Sequence, residues 1–405
     1  MDDISTNIEQ YDIAIAQLQT KRDQLAKSLE YPQSLLAPIR KLPTDVMIEI
    51  FQQATHPIQF FPFFGFRPTC SGEVFTLSWV CSWWRTLIFA QPTLWSSIDL
   101  TLENLRFSSK VSLLSLDGAL KECLRRSGMS APLHLNLEFS SMGLNESETF
   151  NILDALAEHA SRWKKLRIYL TDEDSYECWE YMVREQVESL RASSLLEVMD
   201  IRCLGRIKNW PVALNFCLQL HTLRTSYLDL DHALSLKNLT VLAIQVYHGR
   251  SFADLLEPFP HLRTLVLGVF VRVDNERTPP SFNDFQHIHL SNLQILSMEE
   301  AFPTGLWQSV RLPNLTSLSV NVDLEEGNLS QYVIRWDKPV LDESFFATAN
   351  PFNDLKEMLR LSRCVVQNVS LGTIPSSIVK SFFADIIIAD SGKFIVDGFP
   401  YRRLA

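Results

Sequence analysis

The chain has 405 residues and a formal net charge of −10, with 46% hydrophobic and 21% charged residues, enough for two or three domains or one elongated array of ordinary globular composition. Contiguous basic residues come only in pairs such as Arg125-Arg126, which speaks against a nucleic-acid partner. The N-terminus MDDISTNIEQ lacks the apolar core of a signal peptide, and the longest apolar run, Phe60 to Phe66, is broken by Pro62 and too short for a bilayer.

Residues 4 to 29 place Ile4, Ile8, Tyr11, Ile15, Leu18, Leu25 and Leu29 at the 3–4 spacing of a heptad seam, with Arg22 as the polar intruder. Tyr31-Pro32 is expected to end this helix. Two readings stay open, a coiled coil that joins two copies of the chain and a helix that folds back on the next domain.

In LLAPIRKLPTDVMIEIFQQA, Pro38 breaks the chain and Leu42-Pro43 precedes a second helix, with Asp45 near its positive end. Met47, Ile50, Phe51 and Ala54 define one apolar face of it. The segment 55–75 carries three prolines and six phenylalanines, and is expected to fold over the small helices. In TLSWVCSWWRTL, residues 76 to 87, the positions Leu77, Val80, Cys81, Trp84, Leu87 and Ile88 recur as one face of a single helix. Cys81 then reads as a small core hydrophobe and Trp84 as the anchor of a three-helix core. Trp79 and Trp83 fall on a second face, where they either cover the phenylalanine-rich segment, the favoured reading, or meet a partner. Pro92 ends the helix, and Trp95, Ile98 and Leu100 begin an extended segment.

From about residue 92 a repeat emerges, written φxxφxxφxφ with φ usually apolar. It is clear at Leu236-Leu239-Leu242-Ile244, Phe259-Leu262-Leu265-Leu267, Leu290-Leu293-Leu296-Met298 and Leu312-Leu315-Leu318-Val320. Looser copies start at Pro92, Met129, Ala160, Ser193, Cys217 and Arg363. Helix-like stretches such as FNILDALAEHASRW and SFADLLEPF lie between copies. A short strand and a helix, repeated, predict a leucine-rich solenoid of parallel strands. Tyr247, Phe270, Ala301 and Asp323 stand where regular repeats place a ladder of asparagines. The end, DIIIADSGKFIVDGF, reads as a hairpin around Asp390-Ser391-Gly392 that caps the array.

LPTDVMIEIF followed by LSWVCSWWRTLIFAQPTLWSSIDL resembles the F-box motif, specifically the large F-box families of mushroom-forming fungi. The junction SLLAPIRKLP (34 to 43) and the later LRRSGMSAPLHLNLEF (124 to 139) are similar to segments of that group. The resemblance implies a heptad helix over 1–32, a small all-α F-box over 36–99 with an insertion at 55–75, and an irregular leucine-rich solenoid over 100–405. It implies a non-catalytic substrate receptor that docks on the Skp-type adaptor of a cullin–RING ubiquitin ligase and holds a protein substrate on its repeats. Leu42, Pro43, Asp45, Val46 and Ile50 are then expected to touch the adaptor. Phe51, Val80, Cys81, Trp84, Leu87, Leu94 and Trp95 are expected in the F-box core. Two departures are visible: the segment 55–75 is longer than a compact F-box allows, and Trp83 stands where a basic residue is usual. A scaffold without ubiquitin transfer shares every one of these features.

Motifs for chemistry are absent: no Gly-x-Ser-x-Gly, His-Glu-x-x-His or phosphate-cradling glycine loop occurs. His287 and His289 are the only pair that suggests metal ligands, and no third ligand stands at a recognisable spacing. No cofactor is expected. Cys364, beside Arg363 but next to Val365-Val366, reads as packed rather than reactive. Seven cysteines, none closer than eleven residues to the next, argue against a disulfide framework. A reducing cytoplasmic or nuclear setting is expected.

Overall fold

The computed structural model describes residues 2–35, 38–64, 67–102, 110–139, 146–170, 195–203, 217–229, 236–249, 255–272, 290–295, 311–321, 351–372, 388–396 and 399–400. Its helices are α1 (Asp2–Leu35), α2 (Thr44–Ala54), α3 (Glu73–Val80), α4 (Ser82–Ala90), α5 (Lys110–Arg126), α6 (Glu146–Ala157) and α7 (Pro351–Ser362). Its strands are β1 (Ile58–Phe64), β2 (Arg67–Ser71), β3 (Ser97–Leu102), β4 (Leu133–Phe139), β5 (Trp163–Leu170), β6 (Val198–Cys203) and β7 (Thr222–Asp229). Seven more follow: β8 (Val241–Gly249), β9 (Thr264–Arg272), β10 (Asn292–Ile295), β11 (Ser317–Asn321), β12 (Val366–Gly372), β13 (Ile388–Val396) and β14 (Phe399–Pro400).

All fourteen strands form one sheet, ordered β14-β13-β12-β11-β10-β9-β8-β7-β6-β5-β4-β3-β1-β2. From β3 to β13 each strand lies parallel beside the next one in sequence. Sequential parallel neighbours require the chain to return over one side after every strand, which is the geometry of a solenoid-like α/β fold. The outermost strands, β2 and β14, pair antiparallel. Each carries a proline (Pro68 and Pro400), a residue that cannot donate to a further strand and so blunts an open edge.

The repeat pattern acquires a physical meaning in this sheet. Its third positions, Ile98, Leu135, Leu166, Met199, Leu223, Leu242, Leu265, Leu293, Leu318 and Val369, face one another across ten strands. None is more than 2% exposed. At about 1.5–3 kcal/mol for each large apolar side chain removed from water, this row is the spine of the fold. The φxxφ half of the pattern is a hydrogen-bonded turn: the N–H groups of Leu220, Leu239, Leu262 and Leu315 donate to the carbonyls of Cys217, Leu236, Phe259 and Leu312 at 3.0–3.1 Å. Just beyond it, one carbonyl per repeat accepts two consecutive N–H groups of the next. Glu197, His221, Thr240, Arg263, Ser291 and Thr316 act this way at 2.7–3.1 Å. Thr240 and Thr316 add their hydroxyls to the carbonyls of His221 and Ser291 at 3.0 Å. Repeats without an asparagine ladder are thus joined by main-chain forks.

Helices cover the return side where they are described. Leu116, Leu120, Cys123 and Leu124 of α5, and Leu355, Met358, Leu359 and Ser362 of α7, are buried at helical spacing. Behind α5, the buried Arg162 donates to the carbonyls of Ala131 and Ser127 and to the Ser127 hydroxyl at 2.7–3.2 Å. It fastens the third turn of the array to the second. Gly128 ends α5 with a φ of +66°, which a glycine adopts without strain. At Gly268 a Cβ would stand 2.3 Å from the Gln245 carbonyl, so only glycine lets β8 and β9 approach there.

Several expectations are corrected. The first helix does not stop at Tyr31-Pro32 but runs to Leu35; a proline this near the end costs few hydrogen bonds and its φ suits a helix. The segment 55–75 does not fold over the helices. It forms the hairpin β1–β2, and β1 pairs parallel with β3, so the segment extends the sheet. Alternation makes this possible, since Ile58 and Phe60 point into the core while Gln59 and Phe61 do not. A division at 99/100 cuts through β3, and one apolar core runs from Met47 to Val369. The copy read as Leu290-Leu293-Leu296-Met298 is three residues out of frame, because Leu293 pairs with Leu265 and Leu318. Asp390-Ser391-Gly392 is no hairpin turn: β13 runs through it, with the extra residues taken up as a register shift against β12. The chain reverses after Val396, toward β14.

Candidate functional site

Helix α2 begins after Pro43, whose carbonyl accepts the N–H of Met47 at 3.1 Å. Its two sides differ in a simple way. Met47 and Phe51 are buried, and the Phe51 ring meets Trp84 edge-on at 5.0 Å. On the other side Ile39, Leu42, Val46 and Ile50 are 38, 36, 41 and 42% exposed. Val46 and Ile50, four apart, share one face of α2, and Ile39 and Leu42 stand just before the helix, in and after the short 3-10 turn Pro38–Lys41. Pro43 and Asp45 are exposed beside them, Asp45 in the first turn where the helix end favours an anion. The structure therefore gathers all five residues expected to meet an adaptor into one short surface. Ile39, one turn upstream, is a member that the sequence reading missed, although its spacing to Leu42 signals it.

The residues expected in the core of this region divide. Phe51, Leu94 and Trp95 are buried, Trp84 and Leu87 half-buried against the core. Trp95 is the anchor in place of Trp84. At 1% exposure it donates its indole N–H to the Ile88 carbonyl at 2.9 Å and takes Phe75 and Phe89 edge-on or tilted at 5.6 and 5.7 Å. The Arg126 guanidinium covers it and Phe89 from above. Val80 and Cys81 are not core residues. The expected single helix breaks at Cys81, whose extended backbone separates α3 from α4 and whose Sγ accepts the Trp84 N–H at 3.4 Å. The Arg85 side chain reaches back to the Ser78 carbonyl at 3.0 Å, satisfying the end of α3. That break turns Val80 and Trp79 outward, to 58% and 73% exposure. Trp79 thus does not cover the phenylalanine-rich segment, whereas Trp83 is half-buried against the core.

A second surface lies on the outer side of the sheet. The single x between the last two φ positions of each repeat forms a row: Asp99, Asn136, Arg167, Asp200, Arg224, Ala243, Val266. Acidic and basic residues both stand in the row over β3 to β7, with the neutral Asn136 between Asp99 and Arg167, and give way to neutral residues from β8 onward. Two residues further, on the same face, Glu138, Tyr169 and Arg202 are paired across β4 to β6. Arg202 lies over the Tyr169 ring at 5.3 Å and binds the buried Asp200 at 3.2 Å. Burial pushes the Asp99 carboxyl above its ordinary range, partly offset by hydrogen bonding from Asn136 and by Arg167. At the start of the strands Glu197 holds Lys164 at 3.3 Å and His221 at 3.8 Å. Side chains fixed by such mutual contacts offer a rigid polar surface, suited to reading a partner's pattern of charge. The signal for it was in the sequence, in the x positions of the correctly framed repeats.

Little else among the described residues suggests chemistry. No group of histidine, cysteine and acidic side chains there could hold a metal; His287 and His289 lie outside the described residues. Cys364 is buried, and burial pushes its thiol up to about 11. No described helix is long and apolar enough to cross a membrane.

The chain is thus a solenoid-like α/β protein with an apolar helical surface at one end of its sheet. No protein-family model matches it, and no curated protein does. Among solved structures, a structural-genomics crystal structure of a Bacteroides fragilis protein is similar at 11% identity and a TM-score of 0.26, covering 59% of this chain and 76% of that one. A likeness of that degree carries no argument.

Proposed function

We propose that this protein is the substrate receptor of a cullin–RING ubiquitin ligase, with the α2 surface docking on a Skp-type adaptor and the outer face of the sheet holding a protein substrate. The observation that carries this reading is the apolar line Ile39, Leu42, Val46 and Ile50, exposed along the turn that leads into α2 and along α2 itself, while Met47 and Phe51 of the helix are buried. Apolar residues exposed this way on and just before a short helix are the surface expected of a docking site. The resemblance of LPTDVMIEIF to the F-box motif supplies the partner. The mechanism is proximity: one end fixes the chain to the ligase, and the other raises the effective concentration of substrate lysines near the charged ubiquitin carrier. The reading sets the protein in the cytoplasm or nucleus.

Replacing Leu42 and Pro43 together by alanine is expected to abolish co-purification with the adaptor while leaving the far-ultraviolet dichroism of the sheet unchanged. Undiminished adaptor binding would remove these residues from the interface. Reconstituting the cullin complex and looking for adaptor-dependent ubiquitination of captured proteins separates a receptor from a scaffold.

We also propose that α1 pairs with α1 of a second copy. Residues 6–28 are exposed along their whole length, so this stretch is not folded back on the rest of the chain. An antiparallel pair sets Tyr11 against Arg22 of the second copy and Ile15 against Leu18, whereas a parallel pair would set two Arg22 side chains against each other. Sedimentation of the full chain is expected to give a dimer that becomes monomeric when Ile15 and Leu18 are replaced by aspartate. A wild-type monomer at micromolar concentration would overturn the pairing.

A further inference from the structure

The outer row of the sheet sets charged side chains at a fixed pitch. Arg167 on β5, Asp200 on β6, Arg224 on β7, Ala243 on β8 and Val266 on β9 stand side by side in the strand register. Asp200 is buried and already held by Arg202, which lies over Tyr169. Arg167 and Arg224, on either side of it, are exposed. Among the described residues neither guanidinium has a hydrogen bond or an ion pair, and Arg167 acts on the Asp99 carboxyl only through space. Further along, Ala243 and Val266 are small, apolar and half-exposed.

We propose that this row takes an acidic segment of the substrate in polyproline II conformation. Two carboxylates three residues apart lie on Arg167 and Arg224, and a small apolar side chain three residues further lies on Val266. The proposal rests on the reading of this face as the substrate surface and names the class of segment it takes.

Spacing selects the conformation. Neighbouring strands lie about 4.8 Å apart, so Arg167, Arg224 and Val266, each two strands from the next, recur at about 9.6 Å. A polyproline II helix has three residues per turn and rises about 3.1 Å per residue, so every third side chain points the same way at about 9.3 Å. A β-strand brings same-side residues back at about 6.8 Å and falls out of step within one interval. An α-helix reaches a similar distance only over seven residues, with a body about 10 Å wide that has to clear Tyr169 and Arg202 beside the row. The polyproline II backbone is solvated on its own, which suits a sheet face that offers side chains and no free main-chain groups.

Charge selects the ligand. Two unpaired cations at fixed positions on a chain of net charge −10 are complementary to anions in an otherwise repelling field. Each position supplies one guanidinium fork, which matches one carboxylate. Asp200 between the arginines, with Asp99 and Glu138 on the same face, opposes the denser charge of a phosphodiester chain.

The test measures the anisotropy of fluorescently labelled peptides titrated with the folded full-length protein at low ionic strength. Glu-Pro-Pro-Glu-Pro-Pro-Val and its reversed order present the matched spacing in both chain directions. Glu-Glu-Pro-Pro-Pro-Pro-Val has the same composition with its acids adjacent. The better matched peptide is expected to bind about fivefold tighter than the adjacent-acid peptide, which reaches only one arginine. Arg167→Gln and Arg224→Gln are each expected to weaken it about fivefold and to abolish its advantage, while Lys237→Gln at an exposed turn changes nothing. In Arg224→Glu, a matched peptide with lysine at its central position is expected to regain the lost affinity. Overturning results are equal binding of all peptides of this composition, tighter binding of an alanine-rich helix with glutamates seven residues apart, or displacement of the matched peptide by an oligouridylate at equal concentration. Adaptor pull-down on the same preparation keeps the two readings apart. Failed peptide selection with intact adaptor binding ends this inference alone, and intact selection without adaptor binding ends the ligase reading alone.

Discussion

Residues 38–95 and strands β3 to β12 share one core but treat apolar side chains differently. Along the sheet every large apolar residue of the spine is withdrawn from water. In the helical region Leu42, Val46, Ile50, Trp79 and Val80 stay outside a core completed by Met47, Phe51 and Trp95. Burial in a solenoid follows from stacking, since each repeat covers its neighbour's apolar side. A small helical cap has a neighbour on one side only. Apolar residues retained on its open side are therefore candidates for a partner rather than packing errors, and this difference can be tested by substitution on both sides.

The largest contrast is between Leu242→Ala and Val46→Ser. Leu242 sits at 0% exposure in the middle of the spine, between Leu223 and Leu265, and its truncation should cost about 2–5 kcal/mol through lost transfer energy and a cavity. Val46→Ser removes an apolar group that water already reaches, and should change stability by less than about 0.5 kcal/mol while weakening adaptor binding. Denaturant titration of both variants checks the first half, and adaptor pull-down the second. A large loss of stability in Val46→Ser would make α2's outer face structural and end the comparison.

Gly268→Ala probes how tightly neighbouring repeats are joined. The new methyl would meet the Gln245 carbonyl at 2.3 Å, and backbone on both sides has to move. A cost of about 1–3 kcal/mol is expected, with the disturbance confined to β8 and β9 in hydrogen exchange. A silent substitution would mean that the two strands separate there without penalty.

How much of this was readable in advance depends on what kind of order each region uses. The spine was legible because periodicity and burial coincide: Leu236-Leu239-Leu242-Ile244 is both a sequence pattern and a run of turn, turn, row and row. Its one slip, at Leu290, arose because Leu290, Leu293 and Leu296 satisfy the pattern in two frames, and only pairing with Leu265 and Leu318 decides between them. The hairpin β1–β2 was misread because phenylalanine-rich, proline-broken sequence is equally compatible with a packed loop; its strand character comes from β3, a partner forty residues away. The residues of α2 expected at an adaptor share one exposed surface, and the burial of Leu94 and Trp95 agrees with the expected core, but nothing local says that Val80 would be outside. That outcome is decided by a helix break at a residue that periodicity placed in the core.

Cys81 is where the two ways of reading the helical region part most sharply, though its energetic effect is the smallest. As a core residue on a continuous helix it would tolerate alanine and resist serine, since a buried hydroxyl without a partner costs about 1–3 kcal/mol. As the cap of α4, with its sulfur accepting the Trp84 N–H at 3.4 Å, it should behave in the opposite way. Sulfur is a weak acceptor, whereas serine is among the best residues at a helix start. Cys81→Ser is therefore expected to hold or raise stability by about 0.5 kcal/mol, and Cys81→Ala to lower it by about 0.5–1 kcal/mol. The rank order of the three side chains, measured by denaturant titration at fixed conditions, carries the answer independently of the absolute values. Serine above cysteine above alanine identifies the cap and with it the outward turn of Trp79 and Val80. Alanine above serine would restore the continuous helix, return Val80 to the core, and reduce the exposed apolar surface of this region to α2 alone.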